Sequence, residues 1–289
     1  MRSIGITANP NNPQVTQALK RVIKWCRKSR VNFKVDSNFA KLALSSGQFC
    51  QKNQLWQGND LLVSLGGDGT LLSAAQATGY HQIPILGINL GGLGFLTQLT
   101  ARDIESGLER VKKGEFETEK RLALQIQRIK PQRSKVFYAL NDAVLHKGEV
   151  AHLISFEIWV GKEFICSFTA DGVIVSTPTG STAYSLAAGG PIIHPHMEAI
   201  IVTPICPQTM ATRPIIFSAQ EKLIIKLGRV RSKSQVMLDG QTGFPLHKGD
   251  EIQIKKAKHK VTLVKFPEGS FYGILRQKLH WGLLPKAEK

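Results

Sequence analysis

The sequence predicts an α/β N-terminal domain with a Rossmann-like parallel sheet, followed by a mainly β C-terminal domain. First, strand-like and helix-like runs alternate over residues 1–120, which is typical of a parallel sheet covered on both faces. Second, short strand-like runs separated by turn residues dominate residues 121–265. Third, 289 residues are more than one domain of ordinary size needs. We expect residues 266–289 to complete the first domain.

The first domain opens as a strand, a helix and a second strand. Short apolar runs indicate the strands, and apolar side chains spaced three and four residues apart indicate the helices. The predicted elements are a strand at 3–8, a helix at 13–30, strands at 31–35 and 60–65, a helix beginning after Thr70, a strand at 83–89 and a helix at 102–113.

The second domain consists of predicted strands with turn residues between them. Its strands are expected at residues 122–129, 136–145, 153–160, 163–168, 172–176, 223–227, 235–238 and 251–255. The dipeptide Asp239-Gly240 is one of the turn signals. No internal repeat interrupts this pattern.

Positive charge predominates in the chain. Lys and Arg number 38 against 21 Asp and Glu, which gives a net charge of +17. Such an excess attracts anions over long distances, although a solvated basic surface is the simpler explanation. Aromatic residues are only 7% of the chain, which argues against a nucleic acid as partner. Phosphorylated small molecules therefore suit the charge better than nucleic acid does.

Neither a secretory signal nor a membrane span is expected. The N-terminus enters an apolar strand directly, without separate basic, apolar and cleavage regions. The longest apolar stretch, residues 83–96, is too short for a span and is interrupted by proline, asparagine and glycines. The cysteines at positions 26, 50, 166 and 206 form no C-x-x-C pair. We therefore expect a cytoplasmic protein with no membrane partner.

The strongest local feature is the turn Gly66-Gly67-Asp68-Gly69-Thr70. It follows a predicted strand, at the carboxyl edge where open α/β sheets bind ligands. Its glycines let backbone N–H groups approach an anion at the positive end of the next helix. A carboxylate there would repel phosphate unless it contacts a metal or accepts a proton from an attacking hydroxyl. Asp68 is thus a candidate base, and the alternative is a tight turn in which Asp68 caps the helix.

Two common nucleotide-binding motifs are absent from the sequence. The P-loop pattern fails at Gly161-Lys162, because Phe156 replaces its first glycine and Glu163 replaces its Ser or Thr. The pattern G-x-G-x-x-G fails because Leu72 stands in place of its last glycine. Ordinary dehydrogenase chemistry therefore loses its main support.

Two further segments carry groups that suit a nucleoside. Residues 170–191 run from a strand into a loop rich in Ser and Thr and then into small residues around Tyr184. Hydroxyls, an aromatic ring and backbone N–H groups can all bind a nucleoside. Asn141 and Asp142 interrupt an apolar strand and offer an amide and a carboxylate to ribose or base edges. The alternatives are a plain surface loop for the first segment and a β-bulge or turn for the second.

These motifs resemble those of bacterial NAD kinases, in the same order and at similar separations. The turn at 66–70, the run Leu140-Asn141-Asp142 and residues 171–191 carry the resemblance, which extends over nearly the whole chain. Residues 177–185 are the discriminating part, because lipid kinases and phosphofructokinases carry related glycine-aspartate turns. The resemblance implies an NAD kinase-like two-domain fold. It also implies transfer of the γ-phosphoryl group of ATP to the 2′-hydroxyl of the adenosine ribose of NAD, giving NADP.

The resemblance implies a role for each matching residue. Asp68 would be the catalytic base, with Gly66, Gly67, Gly69 and Thr70 near the ATP phosphates. The residues matching NAD-binding positions are Asn141, Asp142, His152, Thr169, Asp171, Thr182, Ala183, Tyr184, Ser185, Ala187 and Gln241. Thr169 stands where other members can carry a basic residue. A divalent metal, Mg²⁺ by preference, is expected with ATP and is held by phosphates and water, so no residue is assigned as its ligand. The family also implies a homodimer or a homotetramer.

Two other functions remain open from the sequence. A lipid kinase would share the turn at 66–70 but would not need residues 171–191. A non-catalytic protein that binds nucleic acid or nucleotides would explain the basic last quarter of the chain. The sequence leaves open whether ATP or polyphosphate is the donor, whether NADH is accepted, which metal works and whether NADPH feeds back.

Overall fold

The computed structural model of the chain describes residues 1–40, 48–79, 81–92, 94–129, 134–148, 152–228, 230, 234–241 and 243–280. The chain divides into two compact units. Unit 1 comprises Met1–Lys120 and Thr262–Lys289, and unit 2 comprises Arg121–Val261. Each unit has a hydrophobic core of its own.

Unit 1 begins as alternating strands and helices. Its elements as far as residue 113 are β1 (Ser3–Ala8), α1 (Val15–Ser29), β2 (Asn32–Asp36), β3 (Phe49–Cys50), β4 (Leu61–Gly66), α2 (Asp68–Thr78), β5 (Ile85–Asn89), β6 (Leu99–Thr100) and α3 (Ile104–Lys113). These strands are parallel, in the order β5-β4-β1-β2-β3, with β6 also beside β5. The predicted parallel sheet is confirmed. The sequence does not predict β3 and β6, because strands of two residues carry no periodic signal.

Helices cover both faces of this parallel sheet. Ile6 of β1 and Leu65 of β4 belong to the apolar cluster that α1 and α3 complete on one face. On the other face, a Cβ at Gly87 of β5 would lie 2.7 Å from Cδ1 of Leu71, which belongs to α2. Glycine at this position therefore lets α2 pack closely over the carboxyl ends of β4 and β5.

Unit 2 is mainly β-structure, as predicted. Its elements are β7 (Glu117–Arg128), β8 (Val136–Ala139), β9 (Asp142–His146), β10 (Ile154–Val160), β11 (Glu163–Ala170), β12 (Gly172–Ser176), α4 (Tyr184–Ala187), β13 (Ala199–Ile205), β14 (Ile215–Ser218), β15 (Leu223–Leu227), β16 (Gln235–Leu238), β17 (Gly243–Pro245) and β18 (Glu251–Lys265). The single strand predicted at 136–145 is wrong, because Leu140 and Asn141 separate β8 from β9. The N–H groups of these two residues donate to the Asp239 carboxylate.

Two antiparallel sheets enclose the core of unit 2. One sheet has the strand order β14-β13-β12-β9-β16-β17, and the other contains β11-β10-β15-β18. Val173 and Val175 of β12 share an apolar cluster with Phe156 of β10 and Ile252 of β18. The first of these sheets carries the polar strand ends described below.

β18 leads the chain back into unit 1. It continues to Lys265, well beyond the predicted end at residue 255, and Leu263 pairs with Ile85 of β5. Lysines interrupt its apolar pattern, which is why the sequence underestimates its length. It is followed by α5 (Phe271–Leu279), whose first turn is capped by the Ser270 side chain. No helix within the described ranges is both long and apolar enough to cross a membrane.

Candidate functional site

The glycine-rich turn lies where β4 ends and α2 begins. Gly66 is the last residue of β4, Gly67 is the N-cap, and Asp68 is the first residue of α2. The prediction that the helix begins after Thr70 is therefore wrong. The carbonyl of Gly67 accepts the N–H groups of Thr70 at 3.0 Å and of Leu71 at 3.3 Å, so the first turn already encloses Asp68.

Steric crowding requires glycine at one position of this turn and leaves two positions open. A Cβ at Gly66 would lie 2.2 Å from Oγ1 of Thr70, which is buried. At Gly67 and Gly69, a Cβ would meet no described atom within 4 Å. The turn thus leaves open space beside the backbone at the N-terminus of a helix of 11 residues, where an anion is favoured.

The Asp68 carboxylate is held by the loop between β5 and β6. Its Oδ2 accepts the backbone N–H of Phe95 at 2.7 Å. Its Oδ1 accepts the N–H groups of Leu96 at 3.1 Å and Thr97 at 3.3 Å, and the Thr97 hydroxyl at 3.4 Å. The alternative in which Asp68 caps its own helix is wrong, because Gly67 holds the cap position. Three consecutive N–H groups instead fix the orientation of the carboxylate.

Two residues not assigned from the sequence support this arrangement. Asn89, the last residue of β5, donates from Nδ2 to Oγ1 of Thr97 at 3.1 Å, and both side chains are buried. A Cβ at Gly94 would lie 2.2 Å from Oδ1 of Asp68 and 2.2 Å from Oγ1 of Thr97. The sequence carried one signal for Asn89, an asparagine at the end of a predicted strand and directly before a glycine-rich run. An amide that is buried at such a position needs hydrogen-bond partners.

In unit 2, Asn141 and Asp142 lie where β9 begins. The backbone N–H groups of Leu140, Asn141 and Asp142 donate to the carboxylate of Asp239 at 2.9, 2.7 and 3.2 Å. Asp239 is buried and has a left-handed backbone, with φ of 51°. Because Asp239 precedes a glycine, the sequence indicates only a turn there. The structure adds that its carboxylate holds the start of β9.

Burial sets the chemistry of the Asn141 and Asp142 side chains. Burial raises the pKa of the Asp142 carboxyl to about 7, and the charge of Asp239 acts in the same direction. Near neutral pH, Asp142 can therefore donate a hydrogen bond as well as accept one. Oδ1 of Asn141 is buried and has no hydrogen-bond partner among the described residues. Because a buried acceptor without a partner is costly, an N–H or O–H of a ligand fits there.

The hydroxyl-rich segment follows β12 and packs against Asn141. The N–H of Thr177 donates to the Asn141 carbonyl at 2.9 Å, and its hydroxyl donates to the Leu140 carbonyl at 2.6 Å. A Cβ at Gly180 would lie 2.1 Å from the Asn141 carbonyl oxygen. Glycine is therefore required for this close approach, and the segment is not a plain surface loop.

The same segment ends in α4. The predicted site residues here are Thr182, Ala183, Tyr184, Ser185 and Ala187. Ser185 is buried, and its hydroxyl lies 2.9 Å from Oγ1 of Thr203 in β13. Tyr184 is 48% exposed, and Ala187 is exposed. Ser185 therefore anchors the helix, while the Tyr184 side chain remains accessible.

Gln241 lies near the same strand ends as Asn141. It belongs to the turn after β16, where its N–H donates to the Leu238 carbonyl at 2.9 Å. Leu238 pairs with Ala143, one residue after the start of β9. One end of this sheet thus carries Asn141, Asp142, the segment after β12 and Gln241.

Asp171 lies at the other end of β12. Its Oδ1 accepts a hydrogen bond from Nζ of Lys147 at 2.5 Å. From Asp171 to Thr177 the chain advances about 20 Å, at roughly 3.3 Å per residue. Within one copy of the chain, Asp171 is therefore separated from Asn141 by the length of the strand.

Thr169 and His152 also lie toward the Asp171 end. Thr169 is in β11, and its carbonyl accepts the N–H of Gln208 at 2.9 Å. His152 is exposed and precedes β10, whose first residue, Ile154, pairs with Ala170. The structure thus divides the predicted residues of unit 2 into two groups, one at the Asn141 end of β12 and one toward its Asp171 end.

Family models match both parts of the chain. The model described as the ATP-NAD kinase N-terminal domain matches residues 4–116, which include the turn with Asp68. The model described as the ATP-NAD kinase C-terminal domain matches residues 140–266, which include Asn141 and Asp171. Together the two models match well over half of the chain.

Curated relatives are similar over nearly their whole length. An NAD kinase of Geotalea daltonii is 38% identical over 283 residues, which are 98% of this chain and 99% of the relative. An NAD kinase of Desulforamulus reducens is 40% identical over 280 residues, which are 96% of this chain and 97% of the relative.

Solved structures of the same kind share the fold. The crystal structure of yeast NADH kinase complexed with NADH has a TM-score of 0.91 at 30% identity, covering 100% of this chain and 90% of that one. An NAD kinase from Archaeoglobus fulgidus in complex with ATP has a TM-score of 0.74 at 26% identity, covering 97% of this chain and 98% of that one.

Proposed function

The chain belongs to the ATP-NAD kinase family, and from this premise we propose which residues phosphorylate NAD. The reaction transfers the γ-phosphoryl group of ATP to the 2′-hydroxyl of the adenosine ribose of NAD. It requires a base for the ribose proton, donors for the phosphates and a rigid site for the dinucleotide. The observation that carries the assignment is the Asp68 carboxylate, held by three backbone N–H groups beside an open glycine turn.

Asp68 is the catalytic base in this proposal. A carboxylate is too weak a base to deprotonate a ribose hydroxyl in advance, so it accepts the proton as the hydroxyl attacks the phosphorus. The fixed orientation of Asp68 supports this role, because positioning supplies much of the rate in phosphoryl transfer. The bond from ribose oxygen to phosphorus forms while the bond from phosphorus to the ADP oxygen breaks, and the proton goes to Asp68.

The turn supplies the phosphate site in this proposal. Open space beside Gly67 and Gly69 supports the approach of ATP phosphates to the N-terminus of α2. We assign Gly66 and Thr70 to the ATP phosphates as well, and the close approach of the Thr70 side chain to Gly66 fixes the shape of the turn.

The residues around Asn141 bind NAD in this proposal. Oδ1 of Asn141, which has no partner among the described residues, accepts a hydrogen bond from the dinucleotide, and Asp142 exchanges hydrogen bonds with the hydroxyl or amide groups of NAD. Tyr184 contributes its ring, supported by Ser185. The further contacts that we assign to NAD are those of Thr182, Ala183, Ala187, Gln241, His152, Thr169 and Asp171.

A divalent metal, Mg²⁺ by preference, completes the proposal. Within the described residues, no group of three or more His, Cys, Asp or Glu side chains is arranged to hold a metal ion. Mg²⁺ in kinases is usually held by ATP phosphates and water, and this is the form that we propose here. When bound, the ion neutralises charge on the transferred phosphoryl group.

We also propose a homo-oligomer, either a dimer or a tetramer, that works in the cytoplasm. The division of the predicted NAD-binding residues between the two ends of β12 supports an oligomer, because a second copy can bring its Asp171 end to the Asn141 end of the first. The four cysteines are all free, which supports a reducing compartment.

The test is an assay of the purified protein with NAD, ATP and Mg²⁺, in which an NADP-specific dehydrogenase reports NADP. We expect NADP from the wild type, and for Asp68→Asn a fall in kcat of about 10²- to 10⁴-fold with NAD binding retained. Parallel reactions with polyphosphate in place of ATP, and with NADH in place of NAD, establish the donor and the acceptor.

A matched variant separates catalysis from folding in this test. Asp60 also accepts backbone N–H groups, those of Arg2 and Ser3, so Asp60→Asn removes a comparable carboxylate from unit 1. We expect Asp60→Asn to keep its kcat. Near-normal kcat in Asp68→Asn would remove Asp68 from the reaction, and NADP formation by neither wild type nor variant would overturn the proposed function and direct attention to lipid substrates.

A further inference from the structure

The donors around the Asp68 carboxylate are distributed unequally between its two oxygens. Oδ1 receives three of them, from the N–H groups of Leu96 and Thr97 and from the Thr97 hydroxyl. Oδ2 receives one, from the N–H of Phe95 at 2.7 Å. Since a carboxylate has about four lone-pair sites on two oxygens, the described donors fully occupy Oδ1 and leave one site of Oδ2 free among the described residues.

The direction of the Thr97 hydroxyl follows from Asn89. Oδ1 of Asn89 accepts the N–H of Gly91 at 2.8 Å, and because an N–H can only donate, this contact fixes the orientation of the amide. Its Nδ2 then donates to Oγ1 of Thr97 at 3.1 Å. The hydroxyl proton of Thr97 must point away from this amine, and Oδ1 of Asp68 lies 3.4 Å away as an acceptor.

We propose that Asn89 and Thr97 are positioning residues that reserve Oδ2 of Asp68 for the proton of the attacking hydroxyl. This inference rests on the proposed function, and it adds two side chains that are linked to Asp68 by hydrogen bonds. Asn89 is 7% exposed and Thr97 is 6% exposed, so bulk water has little access to either side chain. Asn89 ends β5, and the parallel sheet thereby sets the rotation of the Asp68 carboxylate.

Thr97→Val tests the hydroxyl while keeping the backbone N–H and the branched shape. We expect kcat to fall about 10-fold while the KM values for NAD and ATP stay within about twofold, because the lost bond orients the base and binds no substrate. Thr97→Ser restores the hydroxyl, and we expect its kcat within about threefold of wild type. A structural role alone would lower the melting temperature and raise KM in both variants.

Asn89→Asp tests the amide with nearly the same shape. The new carboxylate still accepts the N–H of Gly91 but cannot donate to Thr97, so the Thr97 hydroxyl turns toward it and leaves Asp68. We expect the same loss of kcat as in Thr97→Val, and little further loss in the double variant, because both changes break one chain. Independent, additive losses in the double variant would overturn the proposal.

Two further measurements distinguish failure of this inference from failure of the proposed function. In the Asp68→Asn background, Thr97→Val should not lower the residual rate further, since no base remains to be oriented. Thr100→Val is the matched control, because the Thr100 hydroxyl bonds Asp103 at 2.5 Å, and we expect its kcat to be unchanged. An inactive wild type would refute the proposed function, whereas an active wild type with normal kcat in Thr97→Val would refute this inference alone.

Discussion

The Asp239 carboxylate accepts the backbone N–H of Asn141 at 2.7 Å, across a separation of 98 residues in the sequence. With the bonds from Leu140 and Asp142, it takes up three consecutive N–H groups that would otherwise need strand partners. Asp68 receives three consecutive N–H groups in the same manner in unit 1. In each unit, an aspartate after a strand thus organises a loop that carries candidate site residues.

Asp239→Asn should weaken NAD binding. The neutral amide has one acceptor oxygen and turns an NH₂ group toward backbone donors, so the start of β9 shifts. We expect KM for NAD to rise about 10-fold, as hydrogen bonds to charged groups are worth roughly 1.5–3 kcal/mol, and KM for ATP to change less. Initial-rate kinetics measure both. Asp250→Asn is the control, since Asp250 accepts the N–H of His247 at 2.8 Å in the same unit, and equal KM values in the two variants would contradict the prediction.

Asp142→Asn should flatten the dependence of stability on pH. Burial raises the folded-state pKa of Asp142 from 3.8 to about 7, so the folded chain binds this proton more tightly than the unfolded chain does. The contribution of this group to stability is therefore complete below about pH 4 and is lost as the pH rises through about 7. Asparagine cannot titrate and removes this loss. Denaturant unfolding of the wild type and of Asp142→Asn between about pH 5 and pH 8 measures this loss of stability. The same dependence of stability on pH in both proteins would refute the raised pKa of Asp142.

Gly94→Ala should disable the base although Asp68 itself is unchanged. The new Cβ would lie 2.2 Å from Oδ1 of Asp68, so the carboxylate or the loop must move. We expect kcat to fall about 100-fold, because displacements near 1 Å have effects of this size. Gly92→Ala is the matched control in the same loop, since a Cβ there would meet no described atom within 4 Å. Similar kcat values for the two variants would show that the loop adapts.

Mixed oligomers should test whether two copies share a site. Asn141→Ala and Asp171→Ala change residues at opposite ends of one sheet, and we expect each variant alone to lose activity. In hetero-oligomers of the two, some sites receive the intact group from each copy, and about a quarter of wild-type activity should return after mixing and reassembly. If activity after mixing stays at the level of the single variants, Asn141 of one copy and Asp171 of another do not share a site.

The sequence was sufficient for the elements with a strong periodic pattern. Apolar runs predict β1 and β12 at their observed bounds, and helical spacing predicts α1 within two residues at its start. The sequence-based prediction failed where residues distant in the sequence decide the conformation of a segment. The lysines of β18 interrupt its apolar pattern, so the sequence predicts too short a strand. In the structure, Lys256 and Lys260 are paired with Glu198 at 2.7 and 2.6 Å, and this partner lies outside the segment.

The candidate site also contains a part that the sequence predicts and a part that depends on distant partners. The turn with Asp68 and the segment after β12 could be predicted as candidate segments, since their motifs resemble those of one family in order and separation. Asn89, Thr97 and Asp239 could not be assigned, because a polar residue at a strand end has the same local signature whether its partner is water or another loop. Burial separates these cases, and burial depends on chain segments far away in the sequence.

By itself, the sequence determined the alternation of elements and the candidate site residues, because these follow from local patterns of polarity and backbone freedom, and its motifs carried the resemblance that indicates the kind of chemistry. Only the tertiary structure decided which atoms act together. It joined Asp68 to Thr97 and Asp239 to Asn141, and it placed Asp171 at the far end of β12 from Thr177. The physical reason is that hydrogen bonds between distant segments form only after the strands have paired, and strand pairing is a property of the whole fold.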